Sequence, residues 1–104
     1  MTKLTRLTGV VALGVALAGG STMAFAFKGQ EYAKEAKASL TEARATALKT
    51  VVGKITDQEL EKEQGGSGLR YSFDVKTDRA THEVGVDAKT GAVLENSIDG
   101  PNAD

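Results

Sequence analysis

The sequence contains no cysteine and no tryptophan, and it has one histidine and one proline among its 104 residues. Without cysteine the chain cannot form a disulfide framework, a thiolate metal site, a cysteine nucleophile or a lipid anchor on cysteine. Its net charge of −1 lacks the basic excess that nucleic-acid-binding proteins need. A chain of this length forms one domain. Composition therefore excludes several classes of protein and identifies none.

Residues 1–26 have the layout of a secretory signal peptide. Two basic residues precede an apolar run at Val10–Ala18, and Ala24 and Ala26 form a small-x-small cleavage site. The run is shorter than the roughly 20 apolar residues of a spanning helix; an uncleaved membrane anchor is the alternative. Cleavage would leave a chain that starts at Phe27, has no membrane span and works in the periplasm or outside the cell.

The first part of the remaining chain has helical character. Residues 27–38 form a helical lead-in or linker with little apolar surface; an amphipathic helix that binds a partner is the alternative. Leu40–Gly53 is predicted to be an amphipathic helix with an apolar stripe and two small alanines that allow close packing on a sheet. Ser39 and Glu42 have the spacing of a capping box at the start of this helix, with Thr41 as the alternative cap.

The spacing of apolar residues changes from a helical period of 3.6 residues to a strand period of 2 residues in the second half of the chain. Leu69–Lys76 alternates without interruption, as a half-buried strand does. The predicted inward set is Leu69, Tyr71, Phe73 and Val75. The predicted solvent-facing set is Arg70, Ser72, Asp74 and Lys76. Thr81–Asp87 alternates again and a last short strand begins at Val93, so we predict an antiparallel meander.

One stretch has conflicting signals. Asp57–Gln64 is rich in helix formers and has a single apolar residue, Leu60. Gly53 and the β-branched pair Ile55-Thr56 interrupt a continuing helix. We therefore predict a polar edge strand over Lys54–Glu63, with a helical extension as the alternative. Dense charge protects such an edge from unwanted pairing.

Turn residues separate the predicted strands. Ala88–Gly91 has the composition of a tight hairpin loop, in which Gly91 adopts a positive φ and Asp87 accepts hydrogen bonds from nearby backbone amides. Residues 65–68 form a glycine-rich turn. Residues 96–104 hold the only proline and are predicted to be a flexible tail.

Several segments together resemble the PepSY family, which is named from peptidase propeptides and a spore-cortex protein. The resembling segments are Ser39–Ala43, Glu59–Glu61, Tyr71–Val75 and, most specifically, Val86–Leu94. They span residues 39–95. Gly53 departs from the family pattern because it lacks the neighbouring proline often found at the helix end.

The resemblance implies an α+β fold in which one amphipathic helix packs on a three- to four-stranded antiparallel sheet. It also implies an exported protein that binds or restrains a peptidase. The expected organisation is a signal peptide (1–26), a lead-in (27–38), a PepSY-like domain (39–95) and a tail (96–104).

The residues offer little for catalysis or for a cofactor. His82 is the only candidate base and we expect it to be structural, so we predict no enzyme activity, no metal site and no cofactor. Glu59, Glu61 and Glu63 share one face of the edge strand and are expected to be solvated, with nothing apolar present to raise a pKa.

Binding is the remaining function. The candidate partner-binding residues are Glu59, Glu61, Glu63, Arg70, Ser72, Asp74 and Lys76, and an edge strand can also accept an extended peptide. The partner is expected to be an envelope peptidase or another protein. The alternative is a self-associating structural or sensory module of the envelope with no protease partner.

Overall fold

The computed structural model describes residues 27–101. The predicted signal peptide with Ala24 and Ala26, and the last three residues, lie outside the described part of the chain. The elements in chain order are a 3-10 helix (Gln30–Glu35), α1 (Leu40–Thr50), β1 (Lys54–Lys62), β2 (Leu69–Lys76), β3 (Ala80–Asp87) and β4 (Val93–Pro101).

The four strands form one antiparallel sheet in the order β1-β2-β3-β4, and α1 packs on one of its faces. This confirms the predicted α+β fold. We call the face that contacts α1 the inner face and the opposite one the outer face. The stretch with conflicting sequence signals forms strand β1 and not a helix. The residues of β1 pair with β2 along its whole length, apart from a bulge near Thr56.

The predicted capping box begins α1. The Ser39 N–H donates to Glu42 Oε1 at 2.8 Å, and the Glu42 N–H donates to Ser39 Oγ at 3.1 Å. The helix ends at Thr50, three residues before the predicted end, because Val51 already has extended backbone angles, as β-branched residues favour. Ala43 and Ala47 are buried, so the helix lies close to the sheet.

The hydrophobic core lies between α1 and the inner face of β1, β2 and β3. Its strand residues are Leu60, Leu69, Tyr71, Phe73, Val75, Val84 and Val86. The rings of Tyr71 and Phe73 stack with their centroids 6.2 Å apart. The Tyr71 hydroxyl donates to the carbonyl of Ala38 at 2.9 Å, which joins the core to the segment before α1.

The predicted flexible tail is wrong for residues 96–101, because β4 continues through them. The side chains of this stretch are mostly polar and gave no apolar run to mark a strand. Its order comes instead from backbone pairing with β3, in which Asn96 pairs with Val84 and Ile98 with His82. Backbone pairing of this kind is open to any sequence without internal proline.

The segment before α1 lies along the free edge of β1. Lys28 forms a parallel bridge with Glu59, and the Leu60 N–H donates to the Lys28 carbonyl at 2.8 Å. Lys62 also contacts the 3-10 helix, since its Nζ lies 3.3 Å from Glu35 Oε1. The predicted helical lead-in is therefore a short 3-10 helix that covers part of this edge.

Truncation of Tyr71 tests this arrangement. Tyr71→Ala should lower the free energy of unfolding by about 3–5 kcal/mol, as truncation of buried aromatic side chains does. Tyr71→Phe keeps the ring and loses only the hydroxyl, so it should cost about 0.5–1.5 kcal/mol. Urea unfolding measures both. Equal midpoints for the wild type and Tyr71→Ala would contradict the assignment of Tyr71 to the core.

Candidate functional site

The outer face of the sheet is strongly acidic. Its register brings carboxylates from all four strands to one side, away from α1. We call this surface the acidic face and define it by Asp57, Glu59, Glu61, Asp74, Glu83, Glu95 and Asp99. Sequence analysis found the contribution of β1 and β2 but not that of β3 and β4, because the register that aligns the four strands is not visible in any one of them.

Three acidic residues lie side by side across the strands at the centre of this face. Asp57 pairs with Asp74, and Asp74 pairs with Glu83. Burial raises the pKa of Asp74, and the charges of Asp57 and Asp99 raise it further. Burial likewise raises the pKa of Glu83, with added repulsion from Glu95 and Asp74. Like charges directly opposite one another destabilise a sheet, so this row costs folding free energy.

Arg70 is not on an exposed surface, contrary to the prediction. Only 8% of the surface of Arg70 is exposed, and its Nη1 lies 3.4 Å from Glu63 Oε2 and 3.2 Å from Glu95 Oε1. Its Nη2 donates to the Gln64 carbonyl at 3.1 Å. The side chain lies across Gly85, where an added Cβ would come within 2.9 Å of Arg70 Cδ. Arg70 therefore joins the segment that follows β1 to β4 and offers little surface to a partner.

Ser72 is also buried, which corrects the prediction for this residue. Its hydroxyl donates to Glu61 Oε2 at 2.6 Å. Burial acts to raise the pKa of Glu61, but the hydrogen bond from Ser72 and those shared with Glu63 and Glu59 outweigh it and lower that pKa. Ser72 and Glu61 thus form a contact within the sheet.

The other two glutamates of the predicted edge strand also have shifted pKa values, although Glu63 is solvent-exposed as expected. Burial, followed by the charge of Glu61, raises the pKa of Glu59. A hydrogen bond with Glu61 raises the pKa of Glu63, which is exposed. Of the predicted partner-binding residues, Asp74 is half-buried at the centre of the acidic face and Lys76 is exposed at one end of it.

Asp87 lies at the opposite end of the sheet and is 1% exposed. Its Oδ1 accepts from the Ser67 hydroxyl at 2.7 Å, the Lys89 N–H at 2.8 Å and the Thr90 N–H at 3.1 Å. Its Oδ2 accepts from the Ser67 N–H at 2.7 Å. The predicted bonding of Asp87 to its own turn is confirmed. The link to Ser67 was missed, since it joins two loops that are distant in the sequence.

The described residues show no arrangement suited to catalysis by His82. Its Nδ1 lies 3.3 Å from Asn96 Oδ1, an amide and not a nucleophile. Within residues 27–101, no group of three or more histidine, aspartate and glutamate side chains is placed to hold a metal ion.

These features define a small α+β module with one helix on a four-stranded meander and an open acidic face. The family model described as "Peptidase propeptide and YPEB domain" matches residues 37–96, which is more than half of the chain. The chain belongs to the PepSY family, as the sequence resemblance predicted. Comparison with curated proteins and with solved structures gives no match. No helix in the described part of the chain is long and apolar enough to cross a membrane.

Substitution of Gly91 tests the turn that Asp87 holds. Gly91 has φ +81°, and an added Cβ would meet nothing within 4 Å, so only backbone strain opposes a side chain here. Gly91→Val should cost about 1–3 kcal/mol of stability, and Gly91→Asn should cost less because asparagine tolerates this region. Urea midpoints measure the difference. A valine variant as stable as the asparagine variant would contradict the turn geometry.

The pKa of Asp87 predicts how stability depends on pH. Burial disfavours the charged form, but the hydrogen bonds from Lys89, Ser67 and Thr90 prevail and lower the pKa from 3.8 to about 2. The stabilisation is complete above pH 3.8 and is lost as the pH falls through 2. Asp87→Asn should therefore reduce stability by about 1–3 kcal/mol at pH 7, and the difference should shrink toward pH 2.

The acidic face should change stability with pH in the direction opposite to that of Asp87. Because the pKa values of Asp74 and Glu83 are raised, the folded state takes up these protons more readily than the unfolded chain. Stability should therefore rise as the pH falls toward the ordinary pKa values of 4.5 for Glu83 and 3.8 for Asp74, before the loss at Asp87 sets in. Thermal unfolding between pH 2 and 7 measures both effects. A monotonic fall in melting temperature from pH 7 downward would contradict the raised pKa values of Asp74 and Glu83.

Proposed function

We propose that the protein is a non-catalytic module of the cell envelope that binds a peptidase and restrains it. Family membership supports this proposal, since the matched family is described by peptidase propeptides. The layout of residues 1–26 supports export to the periplasm or the exterior. The acidic face supplies the charged groups for binding. The proposal rests mainly on this surface.

The repulsion within the acidic face is the reason to assign it a partner. Asp57, Asp74 and Glu83 lie in one row, and neither Asp74 nor Glu83 has a cation within ion-pair distance among the described residues. A sheet gains stability when such residues are neutral or alternate in charge. A basic surface on the peptidase would relieve the repulsion, so part of the cost to folding would return as binding free energy and as a faster association rate.

The acidic face divides into two parts by role. Glu61 and Glu95 hold buried Ser72 and Arg70 in place, so substitutions there would disturb the sheet. Asp74 and Glu83 make no hydrogen bond or ion pair of this kind, which makes them the suitable positions for a test.

The experiment is inhibition of the envelope and secreted peptidases of the source cell by the purified protein. The wild type should slow at least one of them. Asp74→Asn/Glu83→Gln should raise its inhibition constant about tenfold at low salt, since it removes two charges from the interface. The same variant should be more stable than the wild type by about 0.2–1 kcal/mol because a like-charge pair is lost.

Glu42→Gln/Asp78→Asn is the matched control. Both residues are exposed, and the substitution changes the net charge by the same amount. Glu42 lies on α1, across the sheet from the acidic face, and Asp78 lies between β2 and β3. Glutamine can replace Glu42 in the capping box. Its inhibition constant should equal that of the wild type. An equal loss of inhibition in the control would show that net charge and not the acidic face acts. Failure of the wild type to slow any peptidase would overturn the proposal in favour of a self-associating or sensory module.

A further inference from the structure

The two edges of the sheet differ in whether the protein covers them. At β1, Lys28 pairs with Glu59 and the 3-10 helix contacts Lys62, so the chain protects its own edge. At β4, no described residue pairs with the outer edge along Val93–Pro101. Edge strands left open present free N–H and C=O groups to any extended chain. The predicted peptide-accepting edge on the glutamate strand is therefore the less open of the two.

The two sides of β4 have different chemistry. On the inner side, α1 covers the other three strands but leaves Val93 43% and Ile98 66% exposed. On the outer side, Glu95 and Asp99 extend the acidic face to the edge of the sheet. A strand added beside β4 would thus meet apolar side chains on one side and carboxylates on the other, in alternation.

We infer that the free edge of β4 binds an extended segment of a partner protein in which basic and apolar side chains alternate. Main-chain hydrogen bonds to β4 would supply affinity, and the side chains would supply specificity. The apolar residues of the segment would cover Val93 and Ile98, and its lysines or arginines would face Asp99, Glu95 and Glu83. This inference rests on the proposed function and adds the chemistry of the segment that the peptidase or other partner contributes.

A second copy of this chain is a poorer occupant of the same edge. Pairing of β4 with itself about a two-fold axis would place the carboxylates of Glu95 and Asp99 from two copies on one side of a joined sheet. Their repulsion opposes the pairing, whereas a basic segment removes it. Charge complementarity therefore favours a different chain.

The test is fluorescence anisotropy of labelled nine-residue peptides with the purified protein at low salt. The first peptide alternates lysine and valine (KVKVKVKVK), the second has glutamate in place of lysine, and the third has the composition of the first in two blocks (KKKKKVVVV). The alternating basic peptide should bind about tenfold or more tightly than either of the others. Equal affinity for the alternating and block peptides would overturn the inference, because charge alone would then explain binding.

Variants of β4 test the two sides separately. Ile98→Thr keeps a β-branched side chain and should weaken the alternating peptide about threefold or more, and Asp99→Asn should weaken it about threefold. Val52→Thr is the matched control, since Val52 is 86% exposed and lies outside the sheet. Unchanged affinity in Ile98→Thr, or a wild-type dimer in sedimentation that Ile98→Thr dissociates, would overturn the inference.

The outcome is separable from that of the proposed function. If Ile98→Thr and the wild type bind the peptides alike while Asp74→Asn/Glu83→Gln still loses peptidase inhibition, the inference fails and the proposed function stands. If the peptide series behaves as expected while the wild type slows no peptidase, β4 remains a docking edge and the peptidase assignment fails.

Discussion

The carboxylate of Asp87 connects segments of the chain that local interactions leave separate. It accepts hydrogen bonds from Ser67 in the glycine-rich loop and from the turn between β3 and β4. The carbonyl of the next residue, Ala88, accepts from the N–H groups of both Lys37 and Ala38, at 2.9 Å each. One end of the sheet is thereby fixed to both of its loops and to the approach to α1. Because a domain of this size has a small core and no disulfide, such a polar contact contributes a large share of the stability of this end of the sheet.

Patterns within a single element were predictable from the sequence. The alternation of Leu69–Lys76, the capping box at Ser39 and the positive φ of Gly91 all follow from local spacing and from the angles a residue tolerates. The burial of Arg70 on the polar side of β2 did not follow. Whether an outer-face side chain is covered depends on its cross-strand neighbours, and here Gly85 leaves room for the guanidinium to lie flat. The identity of these neighbours depends on the register of the sheet and cannot be read from the sequence of β2 alone.

The same limit applied to the candidate site. The glutamates of β1 were visible as a charged stripe, but the raised pKa values of Asp74 and Glu83 arise from burial in the sheet and then from charges contributed by other strands. The strand β4 was missed beyond Leu94 because its residues have weak strand propensity and only Ile98 is large and apolar. Its order comes from pairing with β3, which a local pattern does not record. The acidic face could thus be assembled only once four registers were known.

Two features of this sheet work against its own stability, and they meet at β4. The row of like charges on the outer face costs folding free energy, and an open edge with exposed Ile98 invites unwanted pairing. The chain has the means to avoid both, since it places Lys28 and the 3-10 helix on the edge of β1 and pairs Arg70 with Glu63 and Glu95. Features of a fold that lower its own stability are often retained for a requirement outside the fold. A basic, extended partner satisfies both features at once, because it neutralises the carboxylates while it completes the edge.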